Sequence, residues 1–278
     1  MAPFEVHHEI ESIPQNPTLQ DFIHLLGRNV HAIRHTAKVT INLPGMSALY
    51  VEALPPTGEV RIEGEEFRHG IRSLRYRPGE RVWLTDGRGH LAEGLLQQVG
   101  PNWASVTLLA WYDRPGEPPY PLAVVAPPLK QPARLEWLVE KAVELGATEL
   151  HFLRMARAVR TALPQDRLKR VAFAALKQNR RSVLPSLHWH ESWDSLPWER
   201  FPSRLMGEIG APLRLSDALV APPAPTLLLV GPEGDLTPEE LSLLKEKSCT
   251  GVNLGQLRLR AETAALLLLS AIKTQWGY

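Results

Sequence analysis

From residue 122 onward, short apolar runs alternate with longer stretches in which apolar side chains return at every third or fourth position. The runs read LAVVA, ELHFL, RLMGEI, TLLLV and GVNL, and the periodic stretches fall at 133–145, 166–178, 238–247 and 262–275. Runs of that length suit buried strands, and the 3.6-residue period suits amphipathic helices, so the alternation predicts a parallel α/β sheet. In the first helical stretch Leu135, Leu138, Val139, Ala142 and Leu145 share one face, and Gly146 supplies the stop.

Upstream the texture differs. Between residues 50 and 112 the β-prone pieces RVWLTD and WASVTLL are broken by Pro78-Gly79, Gly87-Arg88-Gly89 and Gly100-Pro101, which predicts a small β-rich domain over 46–112. The proline-dense stretch DRPGEPPYP, 113–121, reads as a stiff linker, and the α/β domain follows at 122–278. Residues 1–45 hold five histidines (His7, His8, His24, His31, His35) and one helix-like stretch, 18–35, with Thr18 as its N-cap. That segment is expected to be a poorly ordered N-terminal extension.

Composition narrows the class. The 278 residues suffice for two packed domains, and a formal charge of +1 neither favours nor opposes an anionic partner until the charges are placed. The single cysteine, Cys249, can build neither an intrachain disulfide nor a multi-cysteine zinc site. The longest apolar stretch, 264–272, falls short of the about 20 residues a membrane span requires. Acidic groups in the opening residues argue against a secretory or transit leader, so a cytoplasmic protein is expected.

Ligands of open parallel sheets bind beyond the carboxyl ends of the strands, which directs attention to the loops after TLLLV and GVNL. The first reads GPEGDLTPEE, where Gly231 and Gly234 allow close backbone approach and Thr237 with Glu240 has capping-box spacing ahead of Pro238. The second reads LGQLRLRAETAA, where Gly255 turns the chain out of a strand and Glu262 lies in the first turn of the last helix. Taken singly, either loop is more often a plain connection than a ligand site.

Together the two loops resemble the paired signatures GPEGG(F/L)(S/T)xxE and LGxRILRxETA of the RsmE-type ribosomal RNA methyltransferases of the SPOUT superfamily. The resemblance covers about 46–278. FRHGIRSLRYRPGERVWLTDGRGH is similar to the family's small-domain pattern through His69, Arg75, Gly79, Gly87 and Gly89. Lys130, KAVELGATEL, Arg157, and Gln178 with Arg181 before Pro185 are similar to its large-domain elements, in the same order. Asp235 stands where the family has a third loop glycine, Leu257-Arg258 where it has Arg-Ile, and Ala174 where a Glu is common.

The resemblance implies a SPOUT-type parallel sheet with a C-terminal trefoil knot behind a small PUA-like β-barrel domain. It further implies a homodimer that binds S-adenosyl-L-methionine and methylates uridine N3 in 16S rRNA of the small ribosomal subunit. Carried onto this chain, the cofactor-binding residues are Gly231, Glu233, Gly234, Leu254, Gly255, Leu259 and Arg260, and the RNA-binding residues are Arg72, Arg75, Lys130, Arg157, Gln178 and Arg181. Arg260 is the leading catalytic candidate, its fixed charge suited either to an anionic uracil or to anchoring its phosphate. Glu262 is the second, as a proton acceptor, with helix capping as the equal alternative. Another SPOUT reaction, on ribose or guanosine, and a noncatalytic RNA-binding assembly factor are the competing readings.

The segment 151–181 carries Arg154, Arg157, Arg160, Arg167, Lys169, Arg170, Lys177, Arg180 and Arg181 against Asp166 alone, which reads as a phosphate-tracking patch that Arg72, Arg75 and Arg77 extend. HWHE, 188–191, offers two histidines but fixes no third ligand, so no metal is expected. Most of the eight tryptophans, Trp83 and Trp137 among them, are expected to pack.

Overall fold

The computed structural model describes residues 47–158, 164–219 and 222–278. The extension 1–45 and Arg160 lie outside them.

The small domain is one five-stranded sheet in the order β1-β3-β4-β5-β2, built from β1 (Leu49–Tyr50), β2 (Glu59–Glu63), β3 (Arg81–Thr85), β4 (His90–Val99) and β5 (Trp103–Asp113). β1 and β3 run parallel and the other pairs antiparallel. Strict alternation of buried and exposed residues along β2 shows one face turned to the core. Register shifts at Glu93/Gly94 and Leu96/Gln98 bend β4 against β5, so the sheet curls. It does not close: β1 and β2 are not paired, and the wide helical turn Glu66–Arg72 lies against both, burying Phe67 and Ile71. The expected barrel is therefore a curled half-barrel stoppered by a helical turn, an element that the broken pattern FRHGIR did not announce.

The large domain is a six-stranded, fully parallel sheet in the order β11-β9-β10-β6-β7-β8. Its strands are β6 (Leu122–Ala126), β7 (Glu149–Leu153), β8 (Ser186–His190), β9 (Ser203–Gly207), β10 (Thr226–Leu229) and β11 (Thr250–Val252). The helices are α1 (Pro132–Glu144), α2 (Gln165–Asn179), the single turn α3 (Leu215–Ala218), α4 (Pro238–Glu246) and α5 (Ala261–Trp276). β6, β7 and β10 are buried at every residue, as expected of strands covered on both faces. One core layer packs α1, α2 and α5 on one face, and a second gathers Leu153, Met155, Trp198, Phe201, Met206 and Leu244 on the other. Cys249 belongs to that second layer, where burial pushes its thiol up to about 11, consistent with an inert packing role. Trp83 is buried, whereas Trp137 is 43% exposed, because it falls outside the apolar stripe of α1. Among the described residues no helix is long and apolar enough to cross a membrane.

The two domains meet at a buried ion pair. Glu117, in the linker, and Arg181, after α2, are each 7% exposed. Arg181 pairs with the Glu117 carboxylate through Nε and Nη2, while its Nη1 donates to the Val143 and Ala147 carbonyls at the end of α1, at 3.0 and 2.8 Å. Glu117 Oε1 also accepts from the amides of Ser182 and Val183, each at 3.0 Å. The small domain grips the same segment: Thr85 Oγ1 donates to the Arg181 carbonyl at 3.0 Å, Gly89 N to the Ser182 carbonyl, and Leu184 N to the Gly87 carbonyl. Arg181 is therefore a structural strut, and its expected contact with RNA is corrected, since a sequestered guanidinium with every donor engaged has nothing to offer a phosphate.

Removing one partner of a buried pair strands the other charge. Glu117→Ala is expected to lower the unfolding free energy by about 3–5 kcal/mol, read from the urea midpoint, and to raise protease sensitivity in the linker.

Candidate functional site

The strand order places β9 between β10 and β11, so the loops leaving the carboxyl ends of all three stand side by side. They enclose a cavity of about 540 Å³. Gly231, Glu233, Leu254, Gly255, Leu259 and Arg260 line it, with Val230, Leu236, Leu241 and Ala264 as its apolar wall and Glu208 and Ile209 at the end of β9. Gly234 alone of the seven cofactor candidates lies off the wall; a Cβ there would stand 3.3 Å from that of Arg157.

Each loop owes its shape to a few local devices. Glu240 N donates to Thr237 Oγ1 at 3.2 Å and Thr237 N to Glu240 Oε2 at 2.9 Å, so the capping box forms and starts α4 at Pro238. Glu240 Oε1 in addition accepts from Ala156 N at 2.9 Å, fastening the segment after β7 to the same corner. The left-handed residue of this loop is Asp235, at φ 61°, a conformation that aspartate tolerates better than most residues. In the second loop Gly255 takes φ 125°, a region all but closed to other residues, and its amide donates to Asn253 Oδ1 at 2.8 Å.

Arginines tie the loops together. Arg258 Nη2 donates to Asp235 Oδ2 at 2.9 Å and to the Glu233 carbonyl at 3.1 Å, bridging the second loop to the first. Arg157 Nη1 donates to the Gly234 carbonyl at 3.0 Å. Arg134, in the first turn of α1, holds Glu262 with two bonds, at 2.6 and 2.7 Å, and also pairs with Glu233. Burial pushes the Glu262 carboxyl up, but hydrogen bonds from Arg134 and from its own amide, with the charges of Arg134 and Arg260, hold it below the ordinary range. Such a carboxylate stays ionised and is a poor proton acceptor near neutral pH. Arg260 is the N-cap of α5, exposed at the cavity wall, and makes no ion pair among the described residues.

The basic segment is less uniform than its composition. Arg154, Arg167 and Lys177 pair with Glu191, Glu136 and Glu66, and Arg181 is buried. Lys130 and Arg157 flank a small cleft with Pro232 and Glu233 beside the cavity. Gln178 is exposed at the end of α2, close to the joint where Ala48 N donates to the Lys177 carbonyl. Arg72 and Arg75 are exposed on the small domain, with Arg75 left-handed at φ 58°.

Arg134 escaped the sequence reading. Its signal was there: a cation in a helical first turn opposes the helix dipole and implies a carboxylate partner, and that turn contains no acidic residue.

Residues 116–273 match the RNA methyltransferase domain family, and residues 62–109 the RNA methyltransferase PUA domain family. Among curated proteins, ribosomal RNA small subunit methyltransferase E of Mycobacterium tuberculosis is 31% identical over 80% of this chain and 89% of its own length. The enzyme of that name from Bacillus subtilis is 30% identical over 77% of this chain and 89% of its own. Among solved structures, ribosomal RNA small subunit methyltransferase E from Neisseria gonorrhoeae bound to S-adenosyl methionine superposes with a TM-score of 0.73, at 26% identity over 84% of this chain and 98% of that one.

Arg134→Met is expected to cost about 1.5–3 kcal/mol at neutral pH, since it leaves charged hydrogen bonds unmade. Because the Glu262 carboxyl is held below its unfolded value, that contribution is complete above the ordinary carboxylate range, begins to decline there, and is lost as the pH falls on through the lowered folded value. Unfolding curves of the two proteins should therefore converge in acid, below about pH 4.

Proposed function

The chain belongs to the RNA methyltransferase family of the ribosomal RNA small subunit methyltransferase E proteins, and from that premise we propose that it methylates N3 of a uridine in 16S rRNA. The protein is an S-adenosylmethionine-dependent ribosomal RNA methyltransferase. The observation that carries the reading is the meeting of the Gly231–Asp235 and Gly255–Arg260 bends around one cavity.

The cavity suits the cofactor. Its volume has room for a ligand of nucleoside size or larger, its apolar wall suits an adenine ring, its backbone amides and carbonyls suit the ring's polar edge, and the carboxylates of Glu208, Glu233 and Asp235 at its wall suit a cation. The sulfonium supplies an already activated methyl group, which leaves the protein to orient the uracil and favour loss of its N3 proton. Arg260 supports the second task, because a fixed cation at the wall stabilises the charge that develops on the uracil as that proton leaves. Glu262 is assigned a positioning role through Arg134 in place of proton acceptance. The pairing of Asp235 with Arg258 weakens the case for a noncatalytic relative, since two departures from the family pattern compensate each other across the cavity mouth.

A homodimer is part of the proposal. Leu257 and Ile209, 82% and 64% exposed, are the two most exposed large apolar side chains among the described residues, and both stand at the cavity. A second subunit would cover them. The trefoil threading of the C-terminal segment and a cytoplasmic location complete the reading.

Nucleoside mass spectrometry of 16S rRNA from a strain lacking this chain should show 3-methyluridine lost and restored on complementation; ribose- or guanosine-methylated products changing instead would assign another reaction. Complementation with Arg260→Ala should restore little, and single-turnover methylation should slow by about 10²-fold. Full retention of rate sinks the role of Arg260.

RNA is proposed to track Lys130, Arg157, Arg170, Arg72 and Arg75, with Gln178 beside the joint. Five phosphate contacts imply that log K falls with log salt at a slope of about −4. A flat response in filter binding of an rRNA fragment overturns this path.

A further inference from the structure

On the far side of the sheet from the cofactor cavity, β8 forms the free edge and pairs in parallel with β7, placing His151 opposite His188 and Leu153 opposite His190. The period-2 pattern puts Glu149 and His151 on one face, and the pairing brings His188 to that same face. HWHE fixed no third ligand in sequence; the neighbouring strand supplies two, Glu149 and His151, and of the HWHE histidines only His188 joins them. Glu149 Oε2 lies 3.2 Å from His151 Nε2 and 4.0 Å from His188 Nε2, and the three donor atoms all fall within 4.8 Å of one another.

The hydrogen bonds around them leave a gap in the chemistry. Ser195 Oγ donates to the Ser192 carbonyl at 2.6 Å, so it accepts from His190 Nδ1 at 2.9 Å. A neutral His190 then presents the lone pair of Nε2, which takes the proton of His151 Nδ1 at 2.9 Å. That tautomer turns the bare lone pair of His151 Nε2 toward a carboxylate oxygen, two acceptors with no donor between them. Glu149 and His151 are buried while His188 is part-exposed, so the site has a floor and an open side. Arg200 donates to both oxygens of the Glu149 carboxylate, Nη1 to Oε2 at 2.9 Å and Nη2 to Oε1, and His190 holds His151 by the nitrogen that faces away.

We propose that Glu149 Oε2, His151 Nε2 and His188 Nε2 form a binding site for a divalent first-row transition ion, with solvent completing its coordination. Two imidazoles and a carboxylate are the donor set that zinc and cobalt accept, at about 2.0–2.2 Å from each ligand atom. His188 Nε2 meets Ser186 Oγ at 2.8 Å, so binding exchanges that hydroxyl for the ion as the part-exposed ring turns inward, and entry of the ion displaces Arg200 Nη1 from Oε2 while Nη2 keeps its hold on Oε1. The site lies apart from the methyl-transfer cavity and stands whether or not that reading does.

Titrating the full-length protein with Co²⁺ and following its visible absorption tests the assignment. The expected result is one saturable ion per chain with imidazole ligation, displaced by Zn²⁺, and at least a tenfold loss of affinity in His188→Ala and in Glu149→Gln. His188 is part-exposed, so its variant should keep the wild-type fold, checked by circular dichroism, and it retains the histidines of residues 1–45, which removes them as an explanation. Equal binding by wild type and His188→Ala overturns the proposal. So does an NMR titration showing His151 as a stable imidazolium on Glu149 at neutral pH with no saturable metal uptake.

Discussion

A buried ion pair between a linker residue and a loop residue fixes where everything else in this protein can stand. Glu117 and Arg181 share no secondary structure, yet the pair joins the linker, the end of α1, the segment entering β8 and, through Thr85, Gly87 and Gly89, the edge of the half-barrel. Desolvating two charges is costly unless the remaining lone pairs and protons are satisfied, and here backbone carbonyls and amides satisfy them. The charges are satisfied within the linker and the large domain, and the small domain is fastened to the backbone of the same 181–184 segment, so the pair sets the segment on which the half-barrel docks. The proposed RNA surface, with Arg72 and Arg75 on one domain and Lys130 and Arg157 on the other, requires that fixed relation.

The same logic, at lower cost, governs the cavity. Its loops carry few apolar side chains of their own and are set by capping, by two left-handed residues and by arginine ties. Arg134, partly buried, reaches both Glu233 and Glu262 and so connects both loops to α1. The Arg258–Asp235 tie is exposed, and exposed pairs contribute only about 0.2–1 kcal/mol. It serves register more than stability, replacing the conformational freedom of a glycine with an aspartate whose partner waits across the mouth.

Sequence periodicity located the strands and helices of the large domain because fully buried runs and one-sided helices leave strong local patterns. The capping box was legible for the same reason, since Thr237 and Glu240 are three residues apart and interact with each other. What failed to show were interactions whose partners lie far apart in the chain. Arg181 looked like a surface cation because its carboxylate lies 64 residues upstream, and Arg134 looked like an ordinary helix residue because its partners are about a hundred or more residues downstream. The same blindness hid the open sheet of the small domain, where the wide helical turn takes the place of a missing strand pairing, and the meeting of Glu149 with His188.

Charge within the cavity explains how one pocket could serve two opposite ligands. Of the carboxylates at its wall, Glu233 pairs with Arg134 and Asp235 with Arg258, while Glu208 makes no ion pair among the described residues and favours a cation there. Arg260 sits at the start of α5, where the helix's own amide dipoles add to its charge and favour an anion. Were Glu262 to pair with Arg260, the two fields would cancel at the place where the base must lose its proton. Arg134 prevents this by holding Glu262 with two hydrogen bonds inside the protein, so that Arg260 acts on the carboxylate only through its field and makes no ion pair with it. On that argument Arg134 contributes to the reaction without touching either ligand, by deciding which arginine the buried carboxylate neutralises.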